Sequence, residues 1–134
     1  MTIQLSGDVR DDKANQFEAS IGTSPRLEIR SGPPPANPAA SDSGVLLAEI
    51  TLPSDWLNPA SGGNGQISGL GLPWEQSTPA AAGTAGHFRL KSSGGTCHMQ
   101  GTAGTSGDLV LSSDDIVLGE PVRVTAFQLT EGGA

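Results

Sequence analysis

Between residues 85 and 101 the chain reads AGHFRLKSSGGTCHMQG, two alternating arms around a Ser-Ser-Gly-Gly turn. That pattern predicts a β-hairpin. Pairing Lys91 with Thr96 sets Leu90 opposite Cys97, Arg89 opposite His98, Phe88 opposite Met99 and His87 opposite Gln100. One face of the hairpin is then apolar and the other polar. A slip of one residue would mix them, so the register is strongly specified.

The flanking segments extend the same theme. Pro25 to Arg30 alternates, with Leu27 and Ile29 on one side and Arg26, Glu28 and Arg30 on the other, which predicts a half-buried strand. Gly44 to Leu52 is apolar on both parities and predicts a central strand covered on both faces over part of its length. Short strands are expected at Asp108 to Leu111 and Asp114 to Leu118. A longer one is expected at Val122 to Thr130, where the inward parity changes near Ala126; either both faces are covered or a bulge shifts the register. Ahead of all these, Leu5, Val9, Ala14, Phe17 and Ile21 form one helical stripe, with Ser6 placed to cap it and Gly22 to stop it. Two readings of the stripe stand side by side: it covers the sheet of its own subunit, or it packs on a neighbour.

Glycine and proline separate these pieces, 19 and 10 of them among 134 residues. Pro33, Pro34 and Pro35 favour polyproline II and cannot donate to a ladder, so residues 31–38 read as a stiff, exposed connector. Residues 58–86 show little periodicity and both tryptophans, Trp56 and Trp74, lie in or beside them. Trp is enriched at binding hot spots but more often fills a core. The expected architecture is mainly β: an antiparallel β-sandwich or barrel with an N-terminal amphipathic helix and long Gly/Pro-rich loops. Residues 1–24 form the helix or arm, and residues 25–134 a single β domain with a long loop at 58–86.

A 35% apolar share is lean for such a domain and suggests stability drawn from neighbouring subunits or from a surface it lies on. The net charge of −7 argues against nucleic acid and against an anionic membrane surface, both of which need a basic face. No apolar run approaches a membrane span, and the first residues lack the basic-then-apolar order of a secretory signal. The single cysteine, Cys97, allows no intrachain disulfide.

Candidate chemistry is sparse. His87, Cys97 and His98 are the only clustered soft ligands, and strand alternation points Cys97 away from both histidines, so no shared metal and no Cys–His nucleophile is expected. Asp11-Asp12 and Asp114-Asp115 are adjacent pairs that diverge, unlike an acid–base couple across a cleft. Asp108, Asp114 and Asp115 lack EF-hand spacing, and Gly62-Gly63-Asn64-Gly65 lacks the lysine of a phosphate loop. No catalytic residue, metal or cofactor is expected.

Several stretches carry a resemblance: FEASIGTSPRLEIRSGPPPANPAASDSGVLLAEITLPSDW, GTAGHFRL, TCHMQGT and the closing GEPVRVTAFQLT. Together they resemble a group of small structural proteins of tailed bacteriophages and prophages. The resemblance implies a non-enzymatic virion component. A capsid decoration (cement) protein that binds the major capsid protein across capsomers is expected first, with a tail-associated or head–tail connector protein as the alternative. It further implies self-association, as a trimer or other homo-oligomer, on the capsid surface after synthesis in the host cytoplasm. Interface candidates are Leu5, Val9, Phe17, Ile21, Pro33, Pro34, Pro35, Trp56 and Trp74. A carbohydrate-binding β-sandwich is a more remote alternative, with few aromatics to serve it.

Overall fold

A computed structural model of the chain describes residues 6–58, 66–106 and 109–130. It opens with helix α1, Gly7–Ile21. Ten strands follow among the described residues: β1 Arg26–Ser31, β2 Leu46–Thr51, β3 Leu57–Asn58, β4 Gln66–Gly69, β5 Trp74–Gln76, β6 Gly83–Lys91, β7 Cys97–Gly104, β8 Leu109–Leu111, β9 Asp115–Ile116 and β10 Val122–Thr130. The fold is mainly β with one N-terminal helix, as expected. Strands run in the order β2-β1-β6-β7-β8-β10-β4-β3, with β5 joining β10 and β9 joining β6. Pairing is antiparallel except between β7 and β8, where Ala103 and Gly104 run parallel to Leu109 and Val110. The curled sheet is therefore mixed. The stretch at 58–86 that lacks periodicity contains β4 and β5, too short to register as alternation.

The helix begins and ends where its caps dictate. Ser6 Oγ accepts from Val9 N–H at 3.3 Å, and Gly22 leaves the helix at φ 95°. Ala14 and Ile21 are buried, Phe17 packs at the border of the core and Val9 is exposed. Glu18 fixes the helix to the sheet: one carboxylate oxygen accepts from the N–H groups of Trp56 and Leu57 at 2.9 and 2.8 Å. The helix thus covers its own subunit.

The core is a chain of aromatic contacts between sheet segments. Phe88 on β6 meets Phe127 on β10 edge to face at 5.9 Å. Trp74 touches Phe127 at 5.7 Å and Trp56 at 6.5 Å. Such pairs add about 0.5–1.5 kcal/mol beyond their buried area. On β10 the register shifts between Val124 and Ala126, one of the two readings that the parity change left open. The bulge turns Phe127 inward after Val122 and Val124.

The hairpin keeps its parity but not its register. Lys91 pairs with Cys97, Leu90 with Met99, Arg89 with Gln100, Phe88 with Gly101 and His87 with Thr102. The turn takes one more residue than expected, closed by Ser92 N–H to the Thr96 carbonyl at 2.8 Å. A bulge at His98 adds a second. From Met99 onward the two one-residue shifts restore the expected facing, whereas Cys97, displaced by the first shift alone, pairs with Lys91 of the polar parity. Strand β2 ends the strand order instead of lying at its centre, yet Leu47, Ala48 and Ile50 are all buried.

Candidate functional site

Alternation alone would leave the polar face of β1 and β6 to solvent. It is covered instead: Glu28, His87 and Arg89 are 6%, 0% and 1% exposed. Residues 32–44 fold back over it as a strap. The two ends of the strap are tied together, Ser31 N–H donating to the Val45 carbonyl at 3.1 Å and Val45 N–H to Ser31 Oγ at 2.9 Å. The proline-rich connector is thus an element seated on the sheet and not a spacer.

Composition explains the seat. A proline offers a carbonyl but no N–H, so a strap rich in proline has acceptors to satisfy and few donors. The sheet beneath supplies donors. His87 Nδ1 lies 2.9 Å from the Gly32 carbonyl, which assigns its proton to Nδ1. Gln100 Nε2 donates to the Pro35 carbonyl at 2.7 Å. Arg89 Nη2 donates to the carbonyls of Pro38 and Ala40 at 2.7 and 3.0 Å.

Asp42 closes the strap. Its carboxylate takes Arg89 Nη1, Lys91 Nζ at 2.8 Å and Arg30 Nη2 at 3.2 Å. Glu28 completes the network by accepting from Arg30 Nε at 2.9 Å and Lys91 Nζ at 3.1 Å. The hydrogen bond from Lys91, helped by the charges of Arg30, Lys91 and Arg89, holds the Asp42 carboxyl below its ordinary range against the opposing effect of burial. Burial works against the Lys91 ammonium, but its hydrogen bonds to Asp42 and Glu28 prevail and raise its pKa. Three cations and two carboxylates share this cluster, which leaves it a formal charge of +1.

Close approach also shapes the seat. A Cβ on Gly86 would lie 2.3 Å from the Gly32 carbonyl oxygen and 2.7 Å from its nitrogen. Only glycine lets β6 pass directly beneath the strap. Gly44 stands at φ 70°, where a Cβ would meet the Ser31 carbonyl oxygen at 2.0 Å. Between the strap and the β6–β7 turn runs an open groove, floored by Arg89 and Lys91 and walled by residues 37–42 and 95–98.

The interface candidates read from the sequence divide into distinct groups. Pro33 is exposed, and Pro34 and Pro35 are half-buried on the strap. Val9 is exposed on the first turns of the helix, while Phe17 and Ile21 lie against the core. Leu5 lies outside the described residues. Trp56 and Trp74 are enclosed in the chain's own core at 0% and 4% exposure, with their indole N–H groups on the carbonyls of Gly22 and Leu70, both at 3.0 Å. As surface anchors they are corrected: each fills the core and satisfies its polar end there. The residues that sequence reasoning missed are Glu28, Arg30, Asp42, His87, Arg89 and Lys91. Their signal was opposite charges on the outward parity of neighbouring strands beside a donor-poor proline run.

Among the described residues no group of three His, Cys, Asp or Glu side chains is placed to hold a metal ion. No described helix is long and apolar enough to cross a membrane. What the fold and site define is a mainly β protein presenting a clamped proline strap. Compared with family models, curated proteins and solved structures, the chain matches none.

Proposed function

We propose that this chain is a non-enzymatic structural protein of a tailed-bacteriophage virion, a capsid decoration protein that binds the major capsid protein across capsomers. The resemblance of its segments to small virion proteins motivates the reading. The observation that carries it is the strap. The chain's most buried charges hold a loop in place and leave it uncharged on its outer side from Gly32 to Ser41.

A pre-set loop of this kind suits recognition of another protein. Proline fixes φ and the clamp fixes the rest, so little conformational entropy remains to be lost on docking. Val45, paired with Ser31 at the base of the strap, is 56% exposed and adds apolar surface there. Many weak copies bound across a shell stabilise it by mass action, because each binds the assembled form only.

Quantitative mass spectrometry of purified virions tests this reading. A copy number comparable to that of the major capsid protein is the expected result. A few copies per particle would move the chain to the tail or neck, and its absence from virions would overturn the proposal.

A further inference from the structure

The ends of the strand order are covered by the chain itself. Along β2, the Leu47 carbonyl accepts from Ala80 and Ala81 N–H groups at 2.8 and 3.3 Å, and Glu49 N–H donates to Gln76 Oε1 at 3.0 Å. At β3, Glu18 takes the N–H groups of Trp56 and Leu57. Strand β7 differs. It pairs with β6 over its first part, but β8 reaches it only at Ala103 and Gly104. Among the described residues no strand pairs with the outer edge of residues 97–101. Within this stretch Cys97 Sγ makes a weak donation to the Met99 carbonyl at 3.4 Å.

Edge strands are ordinarily guarded by lysine, proline or inward charge. Residues 92–107, SSGGTCHMQGTAGTSG, contain no charged residue and no proline. The His98 bulge is the only guard in the strand, and it leaves the residues after it regular. In a chain of net charge −7, this is a strand edge along which two copies can meet without bringing like charges together. Beside the same edge, Phe17 and Ile21 of α1 face Met99 across a cleft of about 390 Å³, rimmed by Gln16, Ser20 and His98. An added strand would place an inward side chain at its mouth.

We propose that β7 pairs antiparallel with β7 of a second copy about a twofold axis. The sheet then runs through both chains. The contact needs no virion, so its failure and the failure of the function proposed above are separate events.

Sedimentation velocity on the full chain tests the proposal. The expected result is a reversible species at twice the 13.5 kDa of one chain. His98 is exposed, so His98→Glu leaves the fold intact while placing two carboxylates beside the axis. It is expected to raise the dissociation constant at least about tenfold, and His98→Gln to leave it unchanged. Amide exchange at residues 97–101 should slow as concentration rises through the transition. A monomer at all concentrations, a trimer, or a dimer indifferent to His98→Glu with no slowing at residues 97–101 would each overturn the proposal.

Discussion

The two faces of β1 and β6 are built on opposite principles. Toward the core, Leu27, Ile29, Phe88 and Leu90 are all at most 2% exposed. Each such side chain contributes about 1.5–3 kcal/mol by leaving water, without regard to direction. Toward the strap, Arg30, His87, Arg89 and Lys91 are also covered, but by carbonyls and carboxylates, and Glu28 by the cations beside it. Burying charge costs nearly as much as pairing returns, so this face adds little net stability. What it adds is direction: each donor accepts one position of the strap and disfavours others. The inner face makes the domain stable, and the outer face decides where one loop sits.

Breaking the outer face from either side should expose this division. Arg89→Met removes the donor to three strap groups and strands Asp42 beside fewer cations; a loss of about 3–5 kcal/mol is expected by chemical denaturation, the range for removing one partner of a buried pair. Gly86→Ala attacks the same contact by shape alone. Its methyl would collide with Gly32 backbone, and a cost of about 1–3 kcal/mol is expected, with the amides of residues 32–44 exchanging faster while the core amides of β6 and β10 keep most of their protection.

Titration is the gentlest probe. Asp42 has a lower pKa folded than its ordinary 3.8, so its contribution is present above that value and lost as pH falls through the lower folded value. Lys91 is raised above 10.5, so its contribution is present below that value and lost as pH rises through the higher folded value. The melting temperature should therefore drop at both extremes for reasons of the clamp. Asp42→Asn should flatten the acid side of that profile relative to its own neutral value.

Local order was legible wherever neighbours in the chain decide it. The Ser6 cap, the Gly22 stop, the two-faced hairpin and the parity change near Ala126 all rest on contacts or alternation within a few residues. The hairpin register was not legible, because turn length and the His98 bulge depend on what packs around them. The tryptophans were open between core and surface because composition records no burial. In sequence the strap reads only as a stiff, exposed connector because its partners are remote: Asp42 meets Arg89 47 positions away, Gly32 meets His87 across 55, and Pro35 meets Gln100 across 65. Charge on the outward parity looked like an ordinary solvated face, and only the folded chain brings a donor-poor loop over it.

A double-mutant cycle of Asp42→Ala and Arg89→Met tests most directly whether the clamp directs the strap and does not merely stabilise the domain. Each single change strands a charge, so the account predicts that the double variant loses clearly less than the sum of the two, by about 1–3 kcal/mol. It also predicts that strap amides lose protection in all three variants while the β6 and β10 core remains protected. Additive losses spread evenly over the whole domain would contradict it.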